Sequence, residues 1–156
     1  MMISEKLVEF IHGPVLMAIG TRDERLRPAH TFVAGAIVNQ DRETITCFVP
    51  QGRIERVQND LESNGRIAFA VGSPSHESYQ FKGRYVSARP TDAKDVAVQE
   101  IHRTKLLALM LQYGYPEQIV KPLILGFRHQ PAVAITFRVE EIFLQTPGPE
   151  AGKKIS

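Results

Sequence analysis

Three apolar, β-prone runs follow one another between Val15 and Val49, with only short polar connections and no room for a helix between them. They are Val15–Gly20, Ala29–Asn39 and Thr44–Val49, joined by the charged turn Thr21–Pro28 and by NQDRET. Parallel neighbours need a crossover of about a dozen residues or more, usually helical. Neighbouring strands here are therefore expected to be antiparallel. A doubly wound parallel sheet does not suit this pattern.

Pro50-Gln51-Gly52 then interrupts the β pattern, and Ile54, Val57 and Leu61, spaced by three and four, share one face of a short helix. Asn64-Gly65 ends that helix, since glycine accepts the left-handed cap conformation. Ile67–Val71 and Tyr79–Ala88 read as a fourth and a fifth strand around the loop SPSHES. Thr91-Asp92 opens the longest helix, towards Tyr113. Ala97, Ile101, Thr104, Ala108 and Leu111 align on one of its faces, widened by Leu107 and Met110. Gly114 caps it, Pro116 begins a shorter helix towards Leu125, and Pro131–Leu144 is the sixth strand. Ser4 is the expected N-cap of a short first helix through Phe10. This order predicts a mainly β domain with peripheral helices, a six-stranded antiparallel β-barrel spanning residues 1–144. The remainder, QTPGPEAGKKIS (145–156), alternates proline and glycine. That composition describes a stiff, turned path packed on the domain or on a dimer partner, not a floppy linker.

A chain of 156 residues, 43% hydrophobic and 23% charged, can bury one core without staples. Nineteen basic against 17 acidic residues leave a net charge of +2, which does not call for nucleic acid or a membrane surface as partner. Cys47 is the single cysteine and lies in an apolar strand, so a buried hydrophobe is expected there, with no disulfide and no thiolate zinc site. No apolar run approaches the ~18 residues of a membrane helix, and the N-terminal segment lacks a signal-peptide core. The expected location is the cytoplasm.

GxGxxG, P-loop, HExxH and GxSxG motifs are all missing, and His12, His30, His76, His102 and His129 show no ligand spacing, so no metal site is expected. Basic residues are more informative. Arg53 and Arg56 lie about one turn apart where a helix begins, a place where a cation opposes the helix dipole. A phosphate there would use free backbone N–H groups and both guanidinium forks. The structural alternative is a pair of solvated arginines bonded to Glu55 or Asp60. In SYQFKGR, alternation puts Tyr79, Phe81 and Gly83 on one side, and Gln80, Lys82 and Arg84 on the other, facing either water or a polar ligand. Glu140 and Glu141, adjacent on a strand, point opposite ways and form no acid–base pair.

The order NDLESNGRIAFAV, SHESYQFKGR, FRVEEIFLQTPGPEAG resembles the pyridoxamine 5′-phosphate oxidase-like proteins, in a branch ending QTPGPxAG. The resemblance spans nearly the whole chain and implies an FMN-binding split β-barrel, working as a homodimer with two flavin sites at the subunit interface. Carried over residue by residue, it makes Gln51, Arg53 and Arg56 the phosphate ligands. It puts His30, Thr31, Phe32 and Val33 on the strand that carries the flavin ring, adds Gln80 and Lys82 from the fifth strand, and offers Gln145 as a further cofactor contact. The implied function is that of an FMN-dependent oxidoreductase with a small-molecule substrate. The alternative is a non-catalytic carrier of flavin, deazaflavin or haem, with His30, His76 or His129 available to haem. Of the oxidases' Ser-Arg-Lys motif only Arg56 survives, within Glu55-Arg56-Val57, and their C-terminal Arg-Leu-x-Pro motif is absent. Oxidation of pyridoxamine phosphate itself is therefore not expected.

Overall fold

The antiparallel run at the N-terminal end is present, with one break in it. In this computed structural model, which describes residues 2–156, β1 (Leu16–Arg22) pairs antiparallel with β2 (Pro28–Val33), and β3 (Ala36–Val38) pairs antiparallel with β4 (Thr44–Pro50). The expected single strand Ala29–Asn39 is thus two strands, divided at Ala34-Gly35. Gly35 has φ +108°, which L side chains rarely adopt. The inward phase also slips there: Thr31 and Val33 are buried before the break, Ala36 and Val38 after it. That slip is the physical reason for the imperfect alternation in this stretch.

The other elements are α1 (Glu5–Ile11), α2 (Glu55–Asn64), β5 (Arg66–Gly72), β6 (Ser78–Pro90), α3 (Ala93–Gln112), α4 (Glu117–Leu125) and β7 (Ala132–Leu144). The strands form one sheet in the order β2-β1-β5-β6-β7-β4-β3. It has seven strands, not the expected six, and it does not close. β2 and β3 follow one another in the chain yet occupy opposite edges. The Ala34 N–H donates to the Phe48 carbonyl at 2.8 Å, and the Phe48 N–H to that of Gly35 at 3.0 Å. The chain itself therefore crosses the opening, and the barrel is split.

Side chains explain the curl. Phe69 lies with its ring centroid 6.0 Å from that of Phe81 and 5.9 Å from that of Phe137, and Phe48, Ile19, Ile45, Ile135 and Ile142 are fully buried with them. Ser4 caps α1 through the Leu7 N–H, and Ile3, Leu7 and Ile11 close one end of the core. Ile54, Val57 and Leu61 are all buried beneath α2, which ends at the left-handed Gly65. In β6 the alternation is as expected, with Tyr79, Phe81 and Gly83 inside.

The long helix departs from the simplest reading of its sequence. Asp92 and Asp95 form a capping box at its start. The stripe Ala97, Ile101, Thr104, Ala108 and Leu111 nevertheless points out to solvent, while Asp95, Gln99 and Leu106 are the buried residues. The C-terminal segment turns back along β7. The Gly152 N–H donates to Leu144 at 2.7 Å, Leu144 to Lys153 at 2.9 Å, Ile155 to Ile142 at 2.8 Å, and Ile142 to Ser156 at 2.9 Å. β4 pairs with β7 from Ala132 to Arg138, and the returning segment bonds the far end that β4 leaves open. An otherwise unpaired strand edge is thereby covered. Among the described residues, no helix is long and apolar enough to cross a membrane.

Candidate functional site

A cleft of about 480 Å³ lies between β1–β2, Arg53, α3 and the segment leading from α4 to β7, a size usual for small-molecule sites. Its walls are apolar. Leu16, Met17, Phe32 and Val33 come from the sheet, Leu106 and Met110 from α3, and Leu123, Ile124 and Phe127 from the end of α4 and beyond. Polar side chains reach it at Arg53, Gln99, His102, Arg103 and His129.

Arg53 closes a 3-10 turn, Gln51–Arg53, that leads directly into α2, and no side chain caps α2. The Arg53 guanidinium lies 5.6 Å from the Phe127 ring centroid. Among the described residues, neither Arg53 nor Arg56 bonds a carboxylate. Asp60, one proposed partner, is buried and accepts a 2.7 Å hydrogen bond from Thr21 Oγ1 instead. The pairing with Glu55 or Asp60 is thus absent among the described residues, and both arginines are solvent-exposed beside an uncapped helix start.

The α3 wall is tightly wired. Glu100 accepts from Arg103 Nη2 at 2.9 and 3.0 Å and from His129 Nε2 at 2.7 Å. Arg103 Nη1 donates to His129 Nδ1 and to the Leu125 carbonyl, both at 3.3 Å. Both imidazole nitrogens of His129 are engaged, and a donor on Nδ1 places the ring proton on Nε2. The Arg103 hydrogen bonds hold the Glu100 carboxyl below the usual carboxylate range. Burial pushes His102 below the usual histidine value, so it is neutral at pH 7. Gln99 bonds Gln130 and thereby ties α3 to the start of β7. Cys47 takes no part, since burial pushes its thiol up to about 12.

A second, shallower depression of about 340 Å³ lies on the outer sheet face and shares Leu16, Met17 and Phe32 with the cleft. Strand register sets Phe32, Ala18, Ala70, Gln80 and Phe143 in one row, and His30, Gly20, Ala68, Lys82 and Glu141 in the next. The floor is made of alanine and glycine, between aromatic groups at either side. His30 and Phe32 meet edge to face at 5.4 Å, and Lys82 Nζ sits 4.5 Å from the Phe143 ring centroid.

The expected site residues divide accordingly. Phe32, Val33 and Arg53 meet in the cleft, and Phe32, Gln80 and Gln145 in the depression. His30 and Lys82 occupy the adjoining outer row. Gln51 and Arg56 are exposed beside Arg53 without lining the cleft. Thr31 is buried on the inner face, 4% exposed, so only its backbone is available to a ligand. Gln99, His102, Arg103 and Phe127 were not anticipated, and His129 only as a histidine available to haem. The signal for Gln99 and His102 was the spacing Asp95, Gln99, His102, Leu106 along one face of α3, opposite the apolar stripe. Among the described residues, no group of three or more His, Cys, Asp or Glu side chains is placed to hold a metal ion.

No family model matches the sequence, and no curated protein matches it. Solved structures do. HupZ of Group A Streptococcus superposes with a TM-score of 0.57 at 18% identity, covering 97% of this chain and 100% of its own. A candidate pyridoxamine 5′-phosphate oxidase from Lactobacillus delbrueckii gives 0.56 at 12% identity, covering 91% and 93%. The fold is that of the pyridoxamine 5′-phosphate oxidase-like split barrels. An FMN-binding protein from Syntrophomonas wolfei matches this split barrel at 0.55 and 12% identity, covering 89% of this chain and 83% of its own. In the split barrel described here, Arg53, the cleft and the outer depression all sit on the side where β2 forms the edge of the sheet.

Proposed function

We propose that this chain binds FMN and acts, as a homodimer, as a flavin-dependent oxidoreductase on a small molecule. One observation carries the reading: two arginines without carboxylate partners stand at the uncapped start of α2, beside an apolar cleft walled by β1 and β2. Arg53, Arg56 and the first N–H groups of α2 fit a phosphate monoester, which a helix start and guanidinium forks both favour. Gln51 adds an amide at the same turn. Met17, Phe32 and Val33 form an apolar wall for a planar ring, and Gln80, Lys82 and Gln145 supply polar groups on the adjoining outer face. FMN, when bound, supplies the electron or hydride transfer. The chain's own residues bind, orient and exclude water. His102, neutral at pH 7, presents a hydrogen-bonding group to the apolar part of the cleft without adding charge. Phe32 is 51% exposed although it lines both depressions, which suits a surface that a ligand or a second subunit covers.

Oxidation of pyridoxamine phosphate is not part of the reading, because the motifs for it are missing. Haem carriage would draw on an imidazole in the cleft, where His102 is the one not already engaged by Glu100 and Arg103. His129 has both nitrogens engaged, and His30 and His76 lie outside the cleft. The test is paired titration of the purified protein with FMN and riboflavin. FMN should bind at least about tenfold more tightly, roughly the worth of one charge-assisted hydrogen bond. Equal affinities would remove the phosphate from recognition, and binding of neither would remove flavin.

A further inference from the structure

The flavin reading leaves one side of the cleft unused. Leu106 and Met110 of α3, with Leu123, Ile124 and Phe127 of α4 and the segment after it, line that side. Neither the phosphate contacts nor the β1–β2 wall calls on these five side chains. Apolar walls with a few placed polar groups are the usual lining of a site for a small organic molecule. Among the described residues no aspartate or glutamate lines the cleft, so an organic cation finds no counter-charge in it.

The polar side chains that reach the cleft are committed elsewhere, with one exception. Arg103 Nη2 is spent on both oxygens of Glu100, and its Nη1 on the Leu125 carbonyl and His129 Nδ1. Gln99 is 1% exposed, donates to the His129 carbonyl at 3.4 Å and accepts from Gln130. Arg53 belongs to the phosphate in the flavin reading. A charged group carried to the α3–α4 side would therefore lack a partner, and an unpaired ion among apolar side chains is strongly disfavoured. His102 is the exception. Its ring is half-buried in the cleft wall, and its N–H goes to the Gly13 carbonyl. A neutral imidazole has one donor and one acceptor, so what His102 keeps for a ligand is a lone pair.

We propose that the α3–α4 side of the cleft binds an uncharged, apolar small molecule carrying a hydroxyl or N–H group, which donates to His102. Such a molecule is the substrate class of the flavin site, so its place beside the flavin rests on that reading. The apolar pocket and its acceptor do not. His102 selects for the donor, and Leu106, Met110 and Phe127 supply apolar contact.

Equilibrium dialysis with three naphthalenes of similar size separates these features. 1-Naphthol carries a donor, 1-methoxynaphthalene has none, and 1-naphthoate is an anion. FMN-loaded wild type should hold 1-naphthol about fivefold more tightly than the methoxy compound, the worth of one neutral hydrogen bond. It should hold it at least about tenfold more tightly than the naphthoate. In His102→Phe the preference for 1-naphthol over the methoxy compound should vanish. Met110→Lys should weaken 1-naphthol binding at least about tenfold, with FMN affinity not weakened and circular dichroism unchanged. Leu111→Lys, on the exposed face of α3, is the control that should not. Naphthoate bound as tightly as naphthol would overturn the proposal. So would a donor preference that survives in His102→Phe, or 1-naphthol binding that Met110→Lys leaves intact. A wild type that takes up 1-naphthol but no FMN would sink the flavin reading and leave the pocket standing. FMN bound with no uptake of 1-naphthol would do the reverse.

Discussion

Gly83 is the position where an added methyl group should do most damage. In β6 it stands opposite Val139, where the register with β7 shifts between Lys82 and Gly83. A Cβ there would fall inside the van der Waals shell of the Arg138 carbonyl oxygen and 2.9 Å from its carbon. These are backbone atoms of a strand held on both sides, by β6 and by β4, so no side-chain rotation relieves the clash. For Gly83→Ala the strands must part, with loss of backbone hydrogen bonds around Gly83 and Arg84. Orphaning two buried groups costs about 1–3 kcal/mol each, and the overpacking adds to it. We expect a loss of about 3 kcal/mol or more, and a fall in Tm of roughly 6–12 °C for a domain of this size. Gly35→Ala supplies the comparison. Its φ of +108° is unfavourable for alanine, but its new Cβ would meet Gln99 and Phe48 at ordinary 3.5 Å contacts. Only the backbone term remains, about 1–2 kcal/mol. Denaturant unfolding of both variants decides. If Gly83→Ala is no more destabilised than Gly35→Ala, strand contact at the register shift is not what requires glycine.

Two further predictions concern pH. Burial works against the Asp95 charge, but bonds from Arg89 and the Asp92 N–H outweigh it, so its folded value lies below 3.8. A depressed carboxyl contributes stability above its unfolded pKa and loses it as pH falls through the folded one. Asp95→Asn should therefore destabilise at pH 7, with the difference from wild type shrinking below pH 3.8; a constant difference down to acid would refute it. His102 and His12 are both held below 6.5, chiefly by burial. The unfolded chain then takes up their protons first, so stability is full above 6.5 and falls as pH drops towards the folded values. His102→Gln should flatten the stability profile between pH 7 and about 5. An unchanged slope in urea unfolding would show that His102 is not protected from protonation.

What could be read without coordinates was whatever periodicity encodes locally. Tyr79, Phe81 and Gly83 alternate inward because a strand has period two, and Ile54, Val57 and Leu61 share a buried helical face. The break at Gly35 was visible only as faulty alternation, because one residue of phase slip resembles noise until the φ value is known. α3 shows the limit most clearly. Spacing groups Ala97, Ile101, Thr104, Ala108 and Leu111 on one face, but it does not say whether that face meets this domain or another. The cleft residues His102 and Arg103 were hidden for the same reason, lying on the face that a simple amphipathic reading assigns to water. The end strand failed differently. Prolines and glycines marked the turn, but Lys153–Ser156 is too short and polar to announce its pairing with β7.

Phosphate binding at the start of α2 is the proposal at the centre of the functional reading, and Arg53→Ala/Arg56→Ala tests it most directly. Both side chains are exposed, so each is worth about 1 kcal/mol after solvent screening. Fluorescence titration should show one FMN bound per wild-type chain. In the double variant the affinity should be about thirtyfold weaker, while the much smaller loss for riboflavin shows that the missing partner is the phosphate. FMN binding that is unchanged in the double variant, or absent from the wild type, would contradict an FMN site at this helix start.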